Sequence, residues 1–318
     1  MRKILVTGAL GQIGSELSLE LRKIYGADNV IARSRRKKEG QEEVIESGPF
    51  EIVEVTNAQQ LAEVVKKHKV NTIIHLAALL SAVGEQKPEQ AWNININGLY
   101  NVLEVAREEN CAVFTPSSIA AFGPSTPKDK TPQDTIQRPE TMYGVTKVAG
   151  EVLCDYYFKK FGVDTRVVRF PGLISYATLP GGGTTDYAVH IYYDAIKQGK
   201  YTSFIDKGTY MDMMYMPDAL NSIITLMEAN PDKLIHRNAF NISAMSFEPE
   251  DIAAEIKKHI PEFEMDYDVD PVRQAIAESW PNSLDDTAAR EEWGWNPKYD
   301  LASMTTDMLE KLKIKLNK

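Results

Sequence analysis

The chain has 318 residues, of which 43% are apolar, and carries a formal net charge of −9. That length suits one large domain with a smaller lobe, and the apolar share is enough to bury a core. The acidic balance excludes nucleic acid and anionic membrane as main partners, and no apolar run reaches signal-peptide or membrane-spanning length. Two cysteines, Cys111 and Cys154, offer neither metal spacing nor a disulfide framework, so a reducing, cytoplasmic setting is expected. His68, His75, His190, His236 and His259 are dispersed, and no metal site is expected.

Met1 to Thr7 is a short run rich in β-formers, followed at once by Gly8-Ala9-Leu10-Gly11-Gln12-Ile13-Gly14. From Ser15 the apolar spacing turns helical, at Leu17, Leu21 and Ile24. Strand, glycine turn and helix together lift a Gly-x-x-Gly-x-x-Gly match above chance. The glycines permit a tight turn, a pyrophosphate against bare backbone, and close helix–strand packing. The helix that follows aims its free N–H groups and positive dipole end at the phosphates. These residues predict an α/β fold of the Rossmann type, a doubly wound parallel sheet with β1 at its centre, binding a dinucleotide through Gly8, Gly11, Gln12, Ile13 and Gly14. A glycine-rich turn without ligand is the plainer alternative.

Asn29 to Ala32 reads as the second strand, and the turn after it faces the adenosine ribose in such a fold. An acidic side chain there would accept from the 2′-hydroxyl of NAD. Here the turn is Arg33-Ser34-Arg35-Arg36-Lys37-Lys38, with no carboxylate. Arginine forks grip phosphate bidentately and a serine hydroxyl adds a donor, so Arg33, Ser34 and Arg35 predict a 2′-phosphate and hence NADP as preferred cofactor, with NAD still usable. A solvated basic loop is the alternative. Phe50 to Val55 is the third strand, with Glu54 placed to receive the adenine amino group and Val55 beside it. Ala58 to His68 is an amphipathic helix. Asn71 to Ala78 is the fourth strand, whose small residues Leu76, Ala77 and Ala78 would let a cofactor lie against the backbone. His75 reads as a packed strand residue. Pro88 to Glu108 is a long helix, and Cys111 to Ser118 is the fifth strand.

Tyr143-Gly144-Val145-Thr146-Lys147 places a phenol and an ammonium four apart on one helix face. The ammonium would lower the phenol pKa and make Tyr143 a general base near neutral pH. Such a pair alone is common on helix surfaces; joined to the N-terminal glycine turn and the Ser117-Ser118 strand end it becomes specific.

Together, Thr7-Gly8-x-x-Gly11-x-x-Gly14, Ser118 and Tyr143-x-x-x-Lys147 resemble the extended short-chain dehydrogenase/reductases. The likeness continues through Arg169-Phe170-Pro171-Gly172, Met216-Pro217-Asp218-Ala219 and Trp293-Gly294-Trp295-Asn296-Pro297. The resemblance implies that Ser118 polarises the reacting oxygen, Tyr143 moves its proton, and Lys147 binds the nicotinamide ribose and tunes Tyr143. It also implies cofactor contacts from Asn95, Phe170 and Pro171, and a homodimer through the helices near 88–108 and 143–162.

Within that superfamily, Leu79 to Glu85, Thr141 to Lys147, and Pro171 to Tyr176 followed by Gly181 to Ala188 look like the short-chain type of L-threonine 3-dehydrogenase. A sugar nucleotide brings a diphosphate that usually needs arginine, yet none occurs between Arg169 and Arg237. The short polar groups of Thr184, Thr185 and Asp186, with Gly183, suit a small zwitterion; Asp186 could meet its ammonium and Ser81 could add a contact from the opposite wall. Thr184-Thr185-Asp186 also reads as an N-cap for a helix through Tyr193, a compatible role. The resemblance then implies oxidation of the L-threonine 3-hydroxyl to 2-amino-3-oxobutanoate, a β-keto acid. Dehydrogenases of this type normally carry an acidic residue after the second strand and use NAD, and Arg33-Ser34-Arg35 departs from that. A sugar-nucleotide epimerase or dehydratase is the alternative reading.

Farther along, Pro217 to Glu228 and Asp285 to Trp293 read as helices, Ala239 to Ile242 and Phe263 to Val269 as strands, and Ser246 to Ile260 as a capped helix. The tail from Lys311 reads as a solvated helix end. The expected division is a dinucleotide-binding domain over 1–172, rejoined by 208–245, and a substrate lobe over 173–207 and 246–318.

Overall fold

The computed structural model describes residues 1–179 and 181–317. Among these, a seven-stranded sheet is formed by β1 (Ile4–Thr7), β2 (Val30–Ser34), β3 (Phe50–Ile52), β4 (Thr72–His75), β5 (Ala112–Ser118), β6 (Thr165–Phe170) and β10 (Asn238–Asn241). Its order is β10-β6-β5-β4-β1-β2-β3, and every pairing is parallel. Ile4, Leu5, Val6, Val30, Ile31, Ile73 and Ile74 are wholly buried, as expected for strands covered on both faces. The chain runs outward from β1 through β2 to β3, then returns to β4 on the other side of β1. That reversal opens a crevice at the C-terminal ends of β1 and β4, where ligands bind in such sheets.

Two smaller sheets accompany the large one. β7 (Gly172–Ile174) pairs parallel with β9 (Met211–Tyr215), which pairs antiparallel with β11 (Met245–Phe247). β8 (Lys200–Ser203) pairs parallel with β12 (Glu264–Tyr267). The reading of Ser246 to Ile260 as one helix is corrected here. Phe247 is buried in β11, and the helix starts only at Pro249, where the Asp251 carboxylate accepts from the Glu248 N–H.

Three further expectations change. The helix over 88–109 is interrupted by a π turn at Asn93–Asn97, which carries Asn95 into the interior. The C-terminal tail is anchored: Leu312 is buried and the Lys315 ammonium donates to the carbonyls of Tyr176 and Ala177 at 2.9 and 2.7 Å. Ala289, Trp293 and Trp295, though late in the chain, pack with Phe240 of β10 in the core of the large sheet. The segment 285–297 therefore packs with the larger domain instead of the lobe to which its position in the chain assigned it.

Candidate active site

The glycine turn stands at the C-terminal end of β1. Gly8 has φ +71°, and a Cβ there would lie 2.8 Å from the Ala77 nitrogen, so only glycine lets the turn approach the end of β4. At Gly14 a Cβ would strike the Gly8 carbonyl oxygen, which is how the helix Gln12–Tyr25 sits so close to the strand. No side chain caps that helix and its first turn has no acidic residue. Its N-terminus is open to an anion. The Gln12 Nε2 is buried without a hydrogen-bond partner among the described residues, and Ile13 lines the adjoining cleft.

A second cavity, of about 190 Å³, opens beside Gly8 and is lined by Arg33, Ser34, Arg35, Glu54, Val55 and Ala77. The basic run divides at this wall. Arg35 to Lys38 are exposed, whereas Arg33 is 2% exposed, and its Nε and Nη2 lack partners among the described residues. Burial draws the Arg33 guanidinium down to about 10, against the opposing pull of Glu54. A buried cation with unspent donors is costly unless an anion meets it. His75 is buried nearby, its Nδ1 2.8 Å from the Thr7 hydroxyl, and burial lowers its pKa to about 3. It is a neutral, packed residue.

Ser118 ends β5 and Tyr143 opens the helix Met142–Phe161. Three local features bring them together. The Thr141 hydroxyl caps the helix by accepting from the Gly144 N–H at 3.1 Å, and Glu85 accepts from the Met142 N–H at 2.6 Å. Gly144 lies against the Ala120 carbonyl, where a Cβ would not fit. The helix therefore descends onto the end of β5 and sets Tyr143 beside Ser118, whose Oγ accepts from the Ala120 N–H at 3.2 Å. Lys147, one turn on, donates to the Pro116 carbonyl at 2.6 Å, and its Nζ is 5.2 Å from the Tyr143 ring centre.

The electrostatics differ from the expectation that the ammonium lowers the phenol. Burial pushes Tyr143 up to about 12, with the Ser118 hydrogen bond opposing, and Lys147 is pulled down to about 8, with Glu151 opposing. Desolvation is the largest cause of both shifts.

Both residues line a cleft of about 170 Å³. Its other walls hold Gln12, Leu76, Ala78, Ser81, Phe170 and Pro171 from the large domain, and Gly183, Thr184, Thr185 and Asp186 from the lobe. Gly172 makes this possible, since a Cβ there would come 2.9 Å from the Thr185 Cβ and push the Thr184–Asp186 turn off β7. The Asp186 carboxylate accepts from the backbone of Gly182 and Gly183, and burial raises its pKa. It supports the glycine segment as well as facing the cleft.

Asn95 lies behind the cofactor wall. Its Oδ1 accepts from the Leu79 N–H at 2.7 Å, and its Nδ2 donates to the Leu79 carbonyl and the Thr146 hydroxyl, each at 3.1 Å. Its amide holds the segment after β4 against the helix that carries Tyr143. Sequence reading missed two lobe residues. Trp280 lines the cleft, and Arg273 acts electrostatically on Asp186. Both follow from the helix Pro271–Ser279, whose start signal, Asp270 before Pro271, is plain in the sequence.

Among the described residues, no cluster of histidine, cysteine and acidic side chains could hold a metal, and no helix is long and apolar enough to cross a membrane. The sequence pattern of the NAD dependent epimerase/dehydratase family matches residues 4–243. A Staphylococcus haemolyticus protein described as an uncharacterized epimerase/dehydratase is 60% identical over 315 residues, 99% of each chain. Among solved structures, an L-threonine dehydrogenase from Clostridium difficile is 68% identical with a TM-score of 0.98, covering 99% of this chain and 98% of that one. A monomeric L-threonine 3-dehydrogenase from a metagenome is 45% identical with a TM-score of 0.94, covering 99% and 100%. The glycine turn, the switch in strand order and this match over most of its length place the chain in the NAD dependent epimerase/dehydratase family.

Proposed function

We propose that this protein oxidises the 3-hydroxyl of L-threonine to 2-amino-3-oxobutanoate, with NADP as the preferred hydride acceptor and NAD as a poorer one. The observation that carries the reading is that Ser118, Tyr143 and Lys147 line one cleft with the short polar turn Thr184–Asp186. Likeness to two L-threonine dehydrogenases over nearly the whole chain supports it.

A nicotinamide, when bound, supplies the acceptor for the hydride leaving the β-carbon. Open helix amides and Gln12 would hold its pyrophosphate, and the residues after β4 would form the wall beside its ribose. The protein's own part is proton handling. Ser118 Oγ donates to the substrate oxygen and holds it, and Tyr143 as phenolate accepts the hydroxyl proton while Lys147 remains an ammonium. The competent form of the Tyr143–Lys147 pair carries one proton, located on the lysine. Ser81, Thr184 and Thr185 offer hydroxyl donors to a carboxylate, and Asp186 supplies the negative charge that suits an ammonium.

The NADP preference rests on the unspent Arg33 donors, with Ser34 and Arg35 lining the same cavity. Each charge-assisted hydrogen bond contributes about 1.5–3 kcal/mol, so two of them favour the 2′-phosphate by a hundredfold or more. A homodimer is also proposed. Trp92, Tyr100, Val152 and Tyr156 stand exposed on the helices over 88–109 and 142–161, an apolar surface that a second copy would cover.

The test is to incubate the purified protein with L-threonine and either NADP or NAD, and separately with a UDP-sugar, following reduced nicotinamide. Reduction dependent on threonine, faster with NADP, is expected. Absence of threonine oxidation with both cofactors rejects the reading, and light scattering at the mass of one chain rejects the dimer.

A further inference from the structure

Glu151 lies one helical turn beyond Lys147 and is 3% exposed. Its carboxylate is held on every side. Oε1 accepts from the Ser117 hydroxyl and from Arg169 Nε at 3.1 Å; Oε2 accepts from Gln137 Nε2 and Arg169 Nη2, both at 2.9 Å. Arg169 is itself fixed by the Gln133 carbonyl and the Asn241 side chain, at 2.8 and 2.9 Å. Lys147 and Glu151 share the wall of a small cavity of about 30 Å³ with Ser117, Asn95 and Thr146. A buried ion pair is rarely a net gain in stability over apolar packing. This one stands directly behind the reaction site.

Resting on the dehydrogenase reading above, we infer that Glu151 is an electrostatic positioning residue: its negative charge favours the ammonium form of Lys147 beside Tyr143. Glu151 touches neither substrate nor cofactor and acts through Lys147 alone. The other groups facing Lys147 leave this task to it. On the same helix, Tyr143 is the partner in the pair, and Cys154 is held protonated by burial. From β4 comes His75, kept neutral. β5 contributes the Pro116 carbonyl, and the β6 cation Arg169 sits across Glu151. Removing the anion favours the neutral isomer, phenol beside amine, over phenolate beside ammonium. It also lets the pair release its first proton at lower pH.

The experiment measures kcat/KM for L-threonine at saturating cofactor over roughly pH 6 to 10 in wild type, Glu151→Gln and Glu151→Asp. Titration of the substrate's own ammonium is common to all three. Glu151→Gln is expected to move the acid limb down by about one pH unit and to lower the plateau at least tenfold. Glu151→Asp, which keeps the charge, is expected to hold the limb near wild type. If Glu151→Gln does not fold because Arg169 is left unpaired, Glu151→Gln with Arg169→Gln leaves no lone buried cation and is expected to show a smaller displacement in the same direction. An unmoved limb in the neutralised variants, with any loss shared equally by Glu151→Asp, overturns the inference and leaves Glu151 a structural residue. Wild-type protein that oxidises no threonine defeats the functional reading instead.

Discussion

The Asp186 carboxylate accepts the Gly183 N–H at 2.5 Å and the Gly182 N–H at 2.9 Å, tying the glycine segment to the helical turn that faces Tyr143 across the cleft. Gly182 has φ +96°, a backbone state open to glycine and strained for any other residue, so its amide can turn toward the carboxylate. Asp186→Ala is therefore expected to raise KM for threonine several-fold, with a smaller effect on kcat. Loss of the cap should cost about 1 kcal/mol of stability. Steady-state kinetics and thermal melts together read the split. A fall in kcat alone would mean that Asp186 serves chemistry instead of closure.

Arg33 provides the sharpest cofactor prediction. Arg33→Ala should weaken NADP use roughly ten- to a hundredfold, the loss of one or two charge-assisted hydrogen bonds, while NAD use changes little. Ser34→Asp should push further, because a carboxylate repels the 2′-phosphate and accepts from the 2′-hydroxyl of NAD. Coenzyme titrations at fixed threonine distinguish the two. Equal losses with both coenzymes would show that Arg33 supports the fold of the turn.

Tyr143→Phe keeps the ring and removes the proton acceptor. Turnover should fall by about 10² to 10⁴, with coenzyme affinity, followed by quenching of tryptophan fluorescence, nearly unchanged. In wild type the rate should rise with pH as the phenol gives up its proton, because burial holds Tyr143 protonated well above neutrality. A flat profile between roughly pH 6 and 9 would contradict this assignment of the base.

A stability prediction arises away from the site, at Asp212 in β9. This carboxyl is wholly buried, accepts from the Ser243 hydroxyl at 3.0 Å and the Leu284 N–H at 2.8 Å, and burial raises it to about 8. The folded state therefore binds the proton more tightly than the unfolded chain, whose carboxyl titrates near 4 (about the model-peptide value). Its contribution is complete below about 4 and is lost as pH rises toward 8. Asp212→Asn should flatten the fall in melting temperature across that window, with its largest relative gain at the alkaline end. Parallel melting curves for the two proteins would refute it.

Short-range chemistry was legible from the residues alone. The strand–glycine–helix start, the helix Ala58–His68 and the run of buried parallel strands all depend on local spacing and on residues that tolerate one backbone state. So did the grouping of Ser118, Tyr143 and Lys147, because a helix fixes the last two and strand β5 ends at the first. The β9 strand went unread, since Asp212 interrupts an otherwise apolar run and only burial with partners makes a carboxyl acceptable there.

What the sequence determined by itself was the strand–glycine–helix start, the placing of Tyr143 and Lys147 on one helix face and the absence of an acidic side chain after β2, since each is a property of neighbours along the chain. Only the tertiary structure decided that Arg33 is buried with donors to spare, that Trp280 reaches the cleft, and that burial dominates the titration of Tyr143 and Lys147. Desolvation depends on what the rest of the fold stacks around a group, and no spacing along the chain encodes it.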